Sequence, residues 1–223
     1  MSTFTTTTQM TEVRDRWVPR FRPNGLQAAA DGLWVVAQSG GEDTDTHAYK
    51  LSYENGSVIR KIPTRLEHAG GISESVGYLW ITSGYDLTKL DYDGNEVATF
   101  LTPEGRGAHG VEWIDEHNMW LTSPGTFRVY LIDPSTMEVK HSVPFPVGKK
   151  GHGMFVRNGS VWQGVTRKDT GGGEIYELNA RDGRVLTRID VAEPEIHGMT
   201  LHDGLIWICC AKSDRVCTIP MPA

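Results

Sequence analysis

Short apolar runs recur along the whole chain, each bounded by Gly, Asp or Asn, and within many of them apolar and polar positions alternate. Alternation with a period of two marks a strand with one buried face. The clearest case runs from Met154 to Arg157, turns at Asn158-Gly159 and returns from Val161 to Val165. Asn-Gly between such runs is a strong hairpin signal, because both turn residues must take positive φ. The same phrase (turn, strand, tight turn, strand carrying Trp) occurs five times, and its copies end on Trp34, Trp80, Trp120, Trp162 and Trp207.

Behind each Trp strand come two more alternating runs joined by a turn, such as Ala48 to Tyr53 and Ser57 to Ile62 around Asn55-Gly56. Successive Trp residues lie 46, 40, 42 and 45 positions apart. Four short antiparallel strands at that period predict a propeller blade. The expected fold is therefore an all-β, five-bladed propeller, with blades at 24–63, 64–104, 105–147, 148–192 and 193–223. The fifth copy has only three strands after His197, whereas Arg14 to Arg22 reads as a strand with no partner nearby. Closing the ring with that segment removes an exposed edge, so 12–22 is expected to complete the last blade, leaving 1–11 as a flexible tail ahead of a single domain at 12–223.

Composition narrows the class. The chain has 223 residues, room for one well-buried core, and a net charge of -6. Its basic residues are scattered apart from Lys149-Lys150, so neither nucleic acid nor an anionic membrane is an expected partner. No apolar run approaches the ~20 residues of a membrane span, and the Thr-rich start lacks a signal peptide's pattern. Three cysteines crowded at Cys209, Cys210 and Cys217 make a poor disulfide framework and read as small buried apolar residues. A cytoplasmic protein acting on a small molecule is the expectation.

Four of the five copies open on His: His68, His109, His152 and His197, with Asn24 in the fifth place. The first strand of a blade runs beside the central channel, so these side chains are expected to converge at its mouth. The spacing from His to Trp is 12, 11, 10 and 10, a drift that the turn between the first two strands is expected to absorb. Neutral imidazole is the commonest ligand for Fe, Zn, Cu and Ni. A ring with one non-His member leaves coordination positions open, as catalytic sites require. The expected cofactor is thus a divalent ion, with Fe, Zn, Mn, Cu and Ni undistinguished. A metal-free reading stands beside it, since WD-repeat propellers carry a Gly-His pair in every blade for hydrogen bonding alone. Here the order is His-Gly, and the Gly lets backbone come close to whatever the His binds.

Other chemistry-bearing residues are expected on the same face. The long loops 38–47 and 166–173 read as lids, the first ending on His47. Glu67 and Glu195 sit one and two residues before ring histidines, and Glu112 three after His109, as candidate orienting carboxylates or acid–base groups. Arg106 is a candidate partner for a substrate carboxylate. Tyr85, Asp86, Lys149 and Lys150 share the face, with Asn24, His47 and Tyr85 on the substrate side.

The phrase His-Gly-apolar-x-x-x-x-Gly-x-x-Trp, best seen in the third to fifth copies, resembles the repeats of the virginiamycin B lyase family and, more loosely, the gluconolactonase-like propellers. That family joins a magnesium site of carboxylates to a catalytic His, so the resemblance implies a metal-dependent lyase. The expected function is Lewis-acid and acid–base chemistry of lyase type on a small oxygen-bearing substrate. A four-His iron on a propeller axis also resembles the carotenoid oxygenases in ligand type and placement, which keeps a non-haem iron oxygenase open. A metal-free binding or scaffold propeller is the third reading. No Gly-x-Ser-x-Gly, phosphate-cradling loop or paired-Cys zinc motif supplies an alternative chemistry.

Overall fold

A computed structural model describes residues 5–6, 11–39, 45–145, 150–166, 172–192, 195–210 and 213–222. Five antiparallel sheets form the blades. Blade 1 holds Pro23–Ala29, Gly32–Ala37, His47–Leu51 and Val58–Pro63. Blade 2 holds Ala69–Ser75, Tyr78–Ser83, Asp86–Asp91 and Glu96–Leu101, and blade 3 Val111–Asp115, Asn118–Ser123, Arg128–Ile132 and Val139–Pro144. Blade 4 holds Gly151–Arg157, Ser160–Thr166, Gly173–Asn179 and Val185–Val191. Blade 5 has Gly198–His202, Leu205–Cys210 and Arg215–Pro220, and its outer strand is Arg14–Trp17. The tight turns follow their sequences: Asn158 and Gly159 take φ of 50° and 74°, and Asp203 and Gly204 take 48° and 70°.

The ring closes as the unpartnered N-terminal run implies. Arg14 pairs with Thr218, Asp15 with Cys217 and Trp17 with Val216, and the Trp17 ring lies 6.0 Å from that of Trp207. The strand is shorter than Arg14 to Arg22. It ends at Trp17, Val18 is exposed, and the chain crosses to blade 1, where Phe21 stacks on Tyr49 at 4.1 Å. Pro19 has no N–H to continue the ladder. Within the segment expected to be a loose tail, Thr5–Thr6 pair in parallel with Thr187 and Arg188 at the edge of blade 4. Thr11 adds a bridge to Val191, with its N–H on Asp190 O at 2.7 Å and its carbonyl accepting from Ala192 N at 3.0 Å.

Each hydrophobic cluster spans one seam between consecutive blades. Trp34, Val36 and Ile62 of blade 1, for instance, pack on Ile72, Leu79 and Ile81 of blade 2, and Trp207 and Cys209 of blade 5 pack on Leu26, Leu33 and Val35 of blade 1. Burying each Leu- or Ile-sized side chain is worth about 1.5–3 kcal/mol, so the core is itself a ring. The three cysteines are buried and unbridged, and burial raises Cys209 well above the ordinary thiol range. No helix among the described residues is long and apolar enough to cross a membrane.

At the axis the innermost strands touch through glycine. A Cβ on Gly25 would stand 2.7 Å from Gly71 Cα, on Gly110 2.5 Å from His152 O, on Gly153 2.5 Å from Met199 N and on Gly198 2.7 Å from Leu26 N, and one on Gly71 would strike His109 O. The Gly after each axial position therefore makes room for the neighbouring blade's backbone. This corrects the expectation that it admits something bound by the His.

Candidate metal centre

The ladder fixes which residues share a height on the channel. Opposite the five Trp residues stand Gln27, Ser73, Glu112, Phe155 and Thr200. Three residues earlier come Asn24, Gly70, His109, His152 and His197. The structure brings the last three together. Their donor atoms all lie within 4.8 Å of one another, and their ring centroids are 4.5 Å (His109–His152), 5.0 Å (His152–His197) and 5.5 Å (His109–His197) apart. This is the one such group of His, Cys, Asp and Glu among the described residues.

His68 does not join them, which corrects the four-histidine ring. It is exposed, in a left-handed turn at φ 53°, with its N–H on Ser39 O at 3.2 Å. The reason is where the extra residues fall. In blade 3 the turn absorbs the one extra residue, as a register shift between Trp113 and Asp115. In blade 2 the Ser73–Trp80 pairing matches that of blades 1, 4 and 5, so two extra residues lie ahead of the strand and push His68 off the channel. Gly70 takes its place, and a Cβ there would come 3.3 Å from His109 Cγ and 3.1 Å from Thr82 Oγ1. Counting ten residues back from Trp80 rather than forward from His68 finds Gly70 in the sequence.

The backbone under the imidazoles is held by side chains that sequence reasoning passed over. Thr82 Oγ1 accepts from Gly71 N at 2.7 Å and donates to His109 O at 2.6 Å, which ties blade 2 to blade 3. Thr122 Oγ1 donates to Gln163 Oε1 at 2.6 Å, and Gln163 Nε2 donates to Gly153 O at 2.8 Å, which ties blade 3 to blade 4. His109 N–H bonds Thr122 O at 2.7 Å and His197 N–H bonds Cys209 O at 3.0 Å. Gln163 and Thr122 are fully buried. Their signal was weak, since a polar residue in a Trp strand reads as an outward-facing one.

Burial favours the neutral form of two of the imidazoles. Desolvation, then the neighbouring His152 and His197, hold His109 well below the ordinary imidazole range. Desolvation, His197 and Lys150 bring His152 down to about 3. The Nδ1 atoms of His109 and His152 are buried without a hydrogen-bond partner. On the remaining arc Asn24 is buried, with Nδ2 donating to Ala69 O at 2.5 Å and Oδ1 unpaired.

The other predicted residues are scattered. Glu112 is outside the cluster, three residues further down the channel, and burial in that narrow space pushes its carboxyl up to about 8. Its place in blades 1, 2 and 5 is a clamp between blades, where Gln27, Ser73 and Thr200 accept from Glu74 N, Trp113 N and Ala28 N. Glu195 is half-buried in the lead into His197 and outside the cluster. Glu67 and Arg106 are exposed; the Glu67 carbonyl accepts from Ser83 Oγ, and Arg106 turns the chain after the short helix Pro103–Gly105. Tyr85 is exposed, and its carbonyl accepts from Thr102 N and Oγ1, both at 2.8 Å. His47 Nδ1 pairs with Asp45 Oδ1 at 2.9 Å. Of the two loops expected to be lids, 40–44 and 167–171 lie outside the described residues, as does Lys149.

No family model and no curated protein matches the chain. Solved structures do. A glutaminyl cyclase from Myxococcus xanthus is similar with a TM-score of 0.67 and 13% identity, over 95% of this chain and 98% of that one. A streptogramin B lyase structure gives 0.54 and 15%, over 93% and 96%. The virginiamycin B lyase from Staphylococcus aureus gives 0.51 and 15%, over 92% of this chain and 68% of that one. At these identities the likeness is one of fold.

Proposed function

We propose that the protein is a metal-dependent enzyme whose ion is held by His109, His152 and His197 at the mouth of the channel. The observation that carries this is the convergence of three imidazoles from three consecutive blades, with centroids 4.5–5.5 Å apart. Three imidazoles on a tetrahedral ion, at metal–nitrogen distances of about 2.0–2.1 Å, place their centroids about 5 Å apart. Burial favours the neutral form of His109 and His152, the form a metal needs. Three protein ligands leave at least one position open, on the arc of Asn24 and Gly70.

A bound divalent ion would supply Lewis acidity towards an oxygen of a small substrate. The chain's own part is to shape the open arc. Gly70 leaves space beside His109, and Asn24, tied through Nδ2 to Ala69, offers Oδ1 to a substrate hydroxyl. Glu195, half-buried just ahead of His197, is the carboxylate nearest in sequence to the triad and our candidate to take a proton from carbon or oxygen. An elimination or cyclisation is the reaction class we favour, since a lyase and a cyclase stand on rings matching most of this chain. The four-His oxygenase loses its fourth ligand with His68.

Cobalt titration tests the centre. Co(II) added to the apo-protein should give the visible bands of a low-coordinate site, saturating at one equivalent. They should vanish in His109→Ala, His152→Ala and His197→Ala and persist in His68→Ala. Saturation without such bands, or bands that survive loss of any triad member, would overturn the assignment.

A further inference from the structure

The repeat lets one seam be compared with another. Between blades 1 and 2, Lys50 pairs across the ladder with Trp34 and sets Nζ 5.2 Å from its ring centroid. That ammonium is neutralised by Asp31 Oδ1 at 2.5 Å and Glu74 Oε1 at 3.6 Å. Tyr92 closes the seam, stacking on Trp34 at 6.2 Å and 15° and donating its hydroxyl to Glu74 Oε1 at 2.6 Å.

Between blades 2 and 3 the frame recurs without its carboxylates, and Trp80 is covered instead by Phe100 of its own blade, stacked at 6.1 Å and 24°. Lys89 pairs across the ladder with Trp80, and its Nζ again lies 5.2 Å from the ring centroid, and 4.0 Å from that of Tyr78. By ladder register the places of Asp31, Glu74 and Tyr92 fall to Gly77, Trp113 and Pro134. Both carboxylates and the phenol are gone. Among the described residues no carboxylate comes within 4.0 Å of Lys89 Nζ. The acids on the rim have other partners: Asp115 accepts from His117 N and Asn118 Nδ2, and Glu116 sits 3.5 Å from His117 Nε2.

What remains is a cleft of about 890 Å³ lined by Tyr78, Trp80, Lys89, Phe100, Trp113 and Pro134. It opens at the turns joining first and second strands, the end of the ring away from the histidines. Small-ligand sites run to about 300–1,000 Å³, with apolar and aromatic walls and few polar groups. Tyr53, at the same repeat position as Tyr92 and Pro134, likewise covers the Trp of the preceding blade, lying 5.3 Å from the Trp207 ring. At this repeat position the following blade therefore supplies an aromatic ring in two seams and Pro134 in this one.

We propose that this cleft is a binding site for a small ligand carrying an aromatic ring and a carboxylate. The ring takes the place of Tyr92 in the cleft, between Phe100 and Trp113, and the carboxylate takes the places of Asp31 and Glu74 at Lys89. Lys89 Nζ lies over two aromatic faces and its side chain is half-buried, so a carboxylate there gains more than on an open surface.

The test is calorimetric titration of the full chain with 3-(4-hydroxyphenyl)propanoate and, separately, with its amide. The acid should bind with a Kd of about 1 mM or tighter, and the amide at least tenfold more weakly. Lys89→Met should weaken the acid at least tenfold and Lys89→Arg should retain it. Pro134→Tyr, which restores the missing phenol, should abolish binding while leaving thermal unfolding unchanged or raised. His152→Ala should bind the acid as the parent does, which separates this cleft from the metal centre. The comparison of acid with amide needs no variant. Equal binding of the two, no binding of the acid, or unchanged affinity in a folded Lys89→Met overturns the proposal.

Discussion

Blades 3, 4 and 5 each bring an imidazole to the channel mouth, whereas blades 1 and 2, built to the same register, bring Asn24 and Gly70. The backbone does not distinguish the two arcs. Both place a residue three positions ahead of the one facing Trp, and both follow it with a glycine that touches the next blade. The difference lies wholly in side chains, and it is chemical: one arc offers three imidazoles, the other space and an amide. Repetition supplies a rigid circular frame, and divergence at one repeated position turns the frame into a site with an open side.

Cutting the seam between the arcs should have the largest effect. Arg14–Trp17 completes blade 5 next to blade 1, so deleting residues 1–22 strips Trp17 from Trp207 and exposes a sheet edge. A loss of about 3–5 kcal/mol is expected, on the scale of removing one buried Trp. Urea unfolding measures it, and an unchanged midpoint contradicts the closure. Next in size is the effect on the ligand arc itself. His152→Ala should lower metal affinity at least a hundredfold, and Asn24→Ala should leave it within a few-fold while altering turnover.

Gly70→Ala sharpens the comparison on a smaller scale. Its methyl would crowd His109 Cγ at 3.3 Å and Thr82 Oγ1 at 3.1 Å, so metal affinity should fall about tenfold with the fold intact. An ordinary affinity in that variant means that the open arc does not constrain His109.

Separate from these mutational effects is the response to pH. In the apo-protein, His109 and His152 bind a proton more weakly folded than unfolded. Their contribution to stability is complete above about 6.5 and declines as pH falls below it, for His152 down to about 3, by up to about 1.4 kcal/mol per pH unit for each proton taken up on unfolding. Glu112 runs the other way. Its carboxyl stays protonated in the fold until about 8, so its contribution is complete below about 4.5 and is lost as pH rises to 8. Glu112→Gln should therefore raise the melting temperature at pH 8 and leave it unchanged at pH 4.5. A uniform shift at both would show that the side chain acts through packing.

Much of this was legible in the chain. The Trp period gives five blades, the unpartnered Arg14 strand gives closure, and His109, His152 and His197 sit where their spacing to Trp puts them. His68 misled because its spacing to Trp matches the others only if the turn takes up the slack, and hydrogen-bond register, not residue count, decides where slack goes. Gln163 and Thr122 escaped notice because burial of a polar side chain depends on the neighbouring blade, which no single repeat reveals. The same holds for Pro134. Its meaning appears only beside Tyr92, at the same position one blade earlier.

The most direct measurement is elemental analysis of the untagged wild-type protein beside His197→Ala, both purified without chelator. One divalent ion per chain in the wild type and none in the variant is the expected result. A wild type free of metal, or a variant that keeps its full complement, would contradict the three-histidine centre.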